Sequence, residues 1–428
     1  MEMRNIVLVT LDSLRADHCS CYGYEKDTTP FLSRLAQKGI KFENVIVSGV
    51  PTVPSSFGMV TSEFCPISLS TSDPRVWRAA IMKRKTIFEV LSNHGYHTGV
   101  FTPHPFFSSY YGFTKGCEHE YADFLKSMGK YERIKKSLHP LLRRLGIFAG
   151  LSFIKNIVKG DIGGYTRIED FYSHIVNWVN NKNPYFLWVF MVDTHSPYLL
   201  SKGKDQYSSE CKRRKVLWVL YKIRTRSQKL SEDELKLIIS CYDSAIKYAD
   251  AYLKQLWNDL KDTDPIFIVN ADHGEAFGEH GFYGHPPEHY EYLIRVPLII
   301  YNADVKGVVE EPISLLRLAP TICELAGVEN EFSQPSLLED VEYTPPIVEN
   351  KLENGLRVTV RDKEWKLIVN PDREDELYNI KKDPMEQENL IGQEPDIEKE
   401  LRKLAERHIK TRKEKERLRK RIKRLRGL

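Results

Sequence analysis

No stretch of this chain reaches the roughly 18 apolar residues that a membrane-spanning helix needs. The longest approach, Leu145 to Val158, is interrupted by Gly146, Gly150, Ser152, Lys155 and Asn156. An export leader is not apparent either. Ile6–Thr10 is apolar but too short for a signal-peptide core, and no small-residue cleavage site follows it. Cysteine is sparse and odd in number: Cys19, Cys21, Cys65, Cys117, Cys211, Cys241 and Cys323, with no pair in CxxC spacing. That excludes a zinc ribbon and offers no disulfide framework. These absences read as a cytoplasmic protein with reduced thiols, peripheral to a membrane at most. Acid is scarce in three runs. Residues 212–229 hold eight Lys/Arg and no acid, 410–428 hold eleven against two Glu, and 121–160 hold nine against two acids. Together the runs carry 24 net positive charges, so a chain of net charge +4 has −20 in its remainder.

What is present is ample apolar residue content, 41% hydrophobic with 11% aromatic over 428 residues. That is too much for a disordered chain and enough for a large core. Buried-strand runs alternate with helix-period segments, the pattern of an α/β fold with a large mixed, mostly parallel sheet between helical layers. Strands are expected at Ile6–Leu11, His97–Phe101, Tyr185–Val192, Pro265–Asn270 and Val296–Tyr301. Helices are expected at Pro30–Lys38 with Thr29 as N-cap, at Thr86–Asn93, and at Leu230–Leu260, where Ser231 and Glu234 form a capping box. Past about residue 340, Val358–Val360, Trp365–Val369 and Glu376–Tyr378 suit short antiparallel strands of a smaller C-terminal α+β subdomain. The expected organisation is a catalytic domain over 1–335 with basic inserts near 121–160 and 202–229, the subdomain over 336–397, and a basic helix or tail over 398–428.

Ligands in open α/β sheets gather at the carboxyl ends of strands. Asp12 follows the first strand and can hold a hard cation. Asp272 and His273 follow another, and carboxylate with imidazole suits zinc or manganese. Thr52 stands between Pro51 and Pro54; were a helix to start near Ser55, its N-terminus would favour an anion. Each has an ordinary alternative: a turn or cap for Asp12, a helix cap with an incidental histidine for Asp272, an N-cap for Thr52.

In combination these segments resemble the sulfatase branch of the alkaline phosphatase superfamily over nearly the whole chain. The resemblance runs through Leu11-Asp12-Ser13, Thr29-Pro30-Phe31-Leu32, Pro51–Ser55 with Thr61, and His195-Ser196-Pro197-Tyr198. It continues through Asp272-His273-Gly274-Glu275, Gly278-Glu279-His280-Gly281, Arg295-Val296-Pro297-Leu298, Leu318-Ala319-Pro320-Thr321, and Trp365-Lys366 to Asp383-Pro384. It implies one divalent metal held by Asp12, Thr52, Asp272 and His273, with Thr52 as nucleophile. Manganese or zinc suits this donor set best, then magnesium or calcium. His195 would contact the transferring group or leaving oxygen. His285 falls where many sulfatases place a sulfate-contacting lysine, and is a second proton donor to the leaving group. A second metal would have to draw on Asp193, His195, His280, His285 and His289, of which His280 and His289 read as exposed loop residues.

The departures bear on the chemistry. A sulfatase nucleophile is Cys or Ser, converted to formylglycine within a C/S-x-P-x-R signature; here the signature reads Thr52-Val53-Pro54-Ser55-Ser56. Ser13 replaces a second Asp, and Thr102-Pro103-His104-Pro105 replaces a Gly-Lys-x-His segment. These features resemble the threonine-type phosphoglycerol and phosphoethanolamine transferases. The sequence therefore favours phosphate esters, most of all phosphodiesters, cleaved through a covalent Thr52 intermediate. The alternatives are a sulfuric ester hydrolase that works without formylglycine or uses another residue such as Ser55, and an inactive sulfatase-like binding protein. The substrate is expected to be a small or lipid-linked ester. The basic segments read either as amphipathic helices with solvated cations or as a surface for an anionic membrane. No nucleic-acid module is recognisable, and the sequence leaves the oligomeric state open.

Overall fold

The computed structural model describes residues 3–71, 73–104, 106–122, 167–198, 200, 213–225 and 229–425. The basic run 121–160 therefore lies outside the described residues beyond 122, and of 202–229 only the helix Arg213–Thr225 and residue 229 fall within them.

The main sheet is built from β1 (Ile6–Leu11), β2 (Ile40–Ile46), β3 (His97–Phe101), β4 (His119–Tyr121), β5 (Tyr185–Met191) and β6 (Ile266–Ala271). A small hairpin, β7 (Ala276–Phe277) with β8 (Tyr283–Gly284), stands apart from it. The sheet is completed by β9 (Arg295–Tyr301), β10 (Gly307–Val309) and β11 (Ile313–Ser314). Its order is β10-β2-β9-β6-β1-β5-β3-β4, with β11 also on β2. All pairings are parallel except those of β9, which runs against both β2 and β6. The central strands β1, β5 and β6 are buried at every residue, which is why they read as unbroken apolar runs rather than alternating ones. Helices flank the sheet, as expected.

The sequence-derived boundaries of Ile6–Leu11, His97–Phe101 and Pro30–Lys38 coincide with the observed ones, and others shift by a residue or two. One cap differs. Thr29 makes no side-chain cap bond, because its hydroxyl accepts from Ser20 N at 2.8 Å. Asp250 caps this helix instead, accepting from Phe31 N and Leu32 N at 2.8 Å each. The capping box of Ser231 and Glu234 is present and opens the helix Glu232–Leu260.

A separate antiparallel sheet follows, β12 (Ile347–Lys351), β13 (Leu356–Arg361), β14 (Trp365–Val369) and β15 (Glu376–Asn379). The helix Pro395–Leu425 packs on it, burying Leu401 and Ala405 against Val358, Val360, Leu367 and Leu377. The helix Arg213–Thr225 turns Val216, Leu217, Val219 and Leu220 inward and leaves Trp218 and Tyr221 exposed, their rings stacked at 5.5 Å.

Candidate metal centre and nucleophile

β1 pairs with β5 on one side and β6 on the other, and the three end in step. Leu11 lies opposite Met191 and Ala271. The residues that follow therefore emerge side by side: Asp12 from β1, Asp193-Thr194-His195 from β5, Asp272-His273 from β6. Ser13, at φ 61°, joins the two carboxylates. Its N–H donates to Asp272 Oδ1 at 3.1 Å and its hydroxyl to Asp12 Oδ1 at 2.9 Å. Gly274 brings its backbone so close to Tyr292 that a Cβ would overlap the Tyr292 carbonyl oxygen; here only glycine fits.

Thr52 arrives from β2, whose carboxyl end lies on the same side. It opens the helix Thr52–Thr61, three residues earlier than Ser55. Its Oγ1 lies 3.0 Å from His273 Nε2. His273 Nδ1 lies 2.8 Å from the Gly274 carbonyl, which can only accept, so Nδ1 carries the proton and Nε2 presents its lone pair. Burial keeps this imidazole below its ordinary pKa, hence neutral. Ser55 is buried with no partner for its hydroxyl; the hydroxyl that meets His273 belongs to Thr52.

The residues fit a cation. Asp12, Asp272 and His273 are wholly buried and bring one ligand atom each within 4.8 Å of one another. Asp12 Oδ2 and Asp272 Oδ2 are buried without a hydrogen-bond partner. His273 Nε2 stands 3.4 Å from Asp272 and 3.8 Å from Asp12. Burial and the neighbouring Asp272 charge push Asp12 well above the usual carboxylate range. Two buried carboxylates this close are unfavourable unless a positive charge compensates them. Asp12, Asp272 and His273 form a divalent-metal site, with Thr52 Oγ1 at its edge.

Around it stand residues the sequence reading did not assign. His104 follows β3, is buried, and places Nε2 at 3.7 Å from Asp12 Oδ2. Burial, then the neighbouring histidines, hold it well below the ordinary histidine value. Glu275, also wholly buried, binds His285 Nδ1 at 2.9 Å and accepts from the Tyr198 hydroxyl. Burial acts to lower the His285 pKa, but the Glu275 carboxylate overrides it and raises it to about 9. His195 is drawn the other way, to about 4, by burial and by His285. The His285 ring packs 5.0 Å from that of His195 and 4.9 Å from that of His273. The strand-end rule that selected Asp12 could have selected His104. Glu275 was hidden because nothing local reveals its partners.

Three potential second-metal ligands are used elsewhere. His280 is not an exposed loop residue. Its Nε2 bonds the Glu386 carbonyl at 2.7 Å, and its ring stacks on Tyr290. His289 is fully buried and meets Thr359 at 2.9 Å. His289 ties the catalytic side to β13 of the second sheet, and His280 ties it to the turn that follows β15. Asp193 Oδ2 accepts from Ile168 N at 3.3 Å at the start of the helix Ile168–Val179.

Residues 4–328 match the family described as Sulfatase. The uncharacterized sulfatase YidJ of Escherichia coli (strain K12) is 23% identical over 433 residues, covering 91% of this chain and 84% of that one. A 2-O GAG sulfatase structure superposes with a TM-score of 0.73 at 18% identity, over 97% of this chain and 94% of its own. The phosphonate monoester hydrolase of Agrobacterium radiobacter superposes with a TM-score of 0.68 at 17% identity, covering 96% of each chain. With the Asp12, Asp272 and His273 centre at the carboxyl ends of β1 and β6, the chain belongs to the sulfatase family, as a metal-dependent hydrolase of the alkaline phosphatase superfamily.

Proposed function

We propose that the protein hydrolyses a sulfuric ester at this centre, with the unmodified Thr52 hydroxyl as nucleophile. The observation that carries the proposal is Thr52 Oγ1 at 3.0 Å from His273 Nε2, in a chain that matches the Sulfatase family over residues 4–328. The relatives move the weight from the phosphodiester favoured by sequence toward the sulfuric ester. A divalent ion on Asp12, Asp272 and His273 would lower the pKa of the Thr52 hydroxyl and offset charge on nonbridging oxygens. Thr52 gives up its hydroxyl proton to solvent, and its Oγ forms a bond to sulfur as the bond from sulfur to the ester oxygen breaks. His285, held by Glu275, is the cation beside the site and donates a proton to the leaving oxygen. Water then attacks sulfur as the bond from sulfur to Thr52 Oγ breaks; one of its protons restores the Thr52 hydroxyl, the other returns to His285, and sulfate leaves.

A phosphoric or phosphonic ester is the second reading. Threonine cannot become formylglycine, so its covalent intermediate must be resolved by attack on the central atom, a route natural to phosphorus. The phosphonate monoester hydrolase neighbour is compatible with it.

p-Nitrophenyl sulfate, p-nitrophenyl phosphate, bis-p-nitrophenyl phosphate and p-nitrophenyl phenylphosphonate decide between them, each with manganese, zinc, magnesium, calcium or chelator. Chelator-sensitive sulfate turnover is expected, and Thr52→Ala is expected to lose it by at least about 10³-fold while keeping bound metal. Turnover of phosphorus esters alone would replace the first reading by the second. An active Thr52→Ala protein would remove Thr52 from both. A protein that binds no metal and turns over none of the four would be an inactive member of the family.

A further inference from the structure

The loop that presents Thr52 is held from outside the main sheet. Asn350, on β12 of the second sheet and 1% exposed, makes a two-way bridge to the backbone of Val50. Its Oδ1 accepts from Val50 N at 3.0 Å, and its Nδ2 donates to Val50 O at 2.5 Å. One residue back, Glu349 N donates to Ser48 O at 2.9 Å. Gly49 lies between, where a Cβ would come within 2.6 Å of the Glu349 carbonyl and 2.8 Å of Asn350 Oδ1. The strand edge and the loop are thus in direct backbone contact. The Glu349 side chain is wholly buried and is itself gripped by the C-terminal helix. His408 Nε2 meets it at 2.7 Å and Arg412 at 2.8 and 3.0 Å. Arg412 also donates to Cys65 O at 3.2 Å, just past the end of the Thr52 helix.

We infer that Asn350 is a positioning residue: through Val50 it sets the approach of the Thr52 hydroxyl to the metal centre, with Glu349, His408 and Arg412 as its support. Asn350 touches none of the reacting atoms. Its effect reaches Thr52 through two residues of backbone, and it rests on Thr52 being the nucleophile. Both hydrogen bonds satisfy buried backbone groups, and losing them frees a loop whose placement matters on the ångström scale.

The test uses the full chain and whichever ester the substrate panel shows to be turned over. Asn350→Ala is expected to lower kcat by about 10²-fold with KM changed less than threefold. Metal affinity should stay unchanged, and amide exchange in residues 48–56 should quicken. Asn350→Asp keeps the acceptor for Val50 N and loses the donor to Val50 O. It is expected to fall between the two, and it carries the test if Asn350→Ala does not fold. Asn379→Ala, on β15 at the far edge of the same sheet, where the side chain accepts from Lys382 N, serves as the control for general loosening and should change stability but not kcat. Wild-type kcat in a folded Asn350→Ala protein, or equal loss in the Asn379→Ala control, overturns the inference. Exchange at 48–56 reads the clamp without turnover. Quickened exchange with no kcat loss would leave the clamp standing but remove its catalytic role, which counts against the inference. An active Thr52→Ala protein would instead mark failure of the nucleophile assignment beneath it.

Discussion

Ser13 shows how much a single residue does at this centre. By family resemblance it takes the place of a second aspartate, which reads as a lost ligand. In the fold its N–H and Oγ each bind one of the two metal-site carboxylates. It orients both without adding negative charge to an already crowded pair. Hydrogen bonds behind metal ligands typically contribute 10–100-fold in affinity. Ser13→Ala removes the Oγ bond to Asp12 and keeps the N–H bond to Asp272, so metal affinity should fall by about tenfold. Competition with a chromophoric chelator measures this directly. Unchanged affinity would mean that Asp12 is held well enough by its surroundings alone.

At the scale of elements, the helix Glu232–Leu260 is the strut that fixes the loop following β1. Asp243 on this helix, its side chain wholly buried, receives His18 at 2.9 Å, Lys26 at 2.8 Å and Tyr24 at 2.9 Å. Burial alone would raise the Asp243 carboxyl, but the bonds to His18, Lys26 and Tyr24 overcome it and leave the group below its ordinary value. A carboxylate whose folded pKa is depressed binds its proton more readily in the unfolded chain. Its stabilisation is therefore full above the unfolded value, about pH 4, and is lost as pH falls through the lower folded value. Asp243→Asn should melt below wild type at pH 7, and the gap should narrow between about pH 4 and 3. Melting curves at pH 7, 5, 4 and 3 provide the comparison; a constant gap would mean that charge on Asp243 contributes nothing.

The elements legible in the sequence were those whose signal is local. Ile6–Leu11 announced itself by an unbroken apolar run, and Glu232–Leu260 by Ser231 and Glu234. Asp12, Asp272 and His273 could be selected because each follows such a strand directly, and β1 and β6 end in register. What local signals could not reveal were pairings made across the chain. Asp250 displaced Thr29 as a cap from the long helix opposite. His280 and His289 looked like loop residues because Glu386 and Thr359, which hold them, lie far away in sequence. The Asn350–Val50 bridge spans 300 residues and depends on how the second sheet docks, a matter of shape that no spacing encodes.

The whole molecule has an uneven charge, with cations gathered in segments and acid spread over the rest. The helix Arg213–Thr225 holds five Lys/Arg and no acid. Its apolar residues Val216, Leu217, Val219 and Leu220 are buried in the body, yet Trp218 is 56% exposed and Tyr221 41% exposed. The buried face suits a covering helix, but a helix that served only as a cover would turn a polar face outward. Aromatic rings beside cations suit the interface of an anionic bilayer, where each Lys/Arg near the surface contributes about 1 kcal/mol. The expected outcome is co-sedimentation with phosphatidylglycerol-containing vesicles at low salt, little with pure phosphatidylcholine, and release as salt rises past physiological strength. Trp218→Ser with Tyr221→Ser should weaken binding by about tenfold and leave turnover of a soluble ester unchanged. Absence of binding at low salt would return this helix to the plainer role of an amphipathic cover whose two aromatics happen to face water.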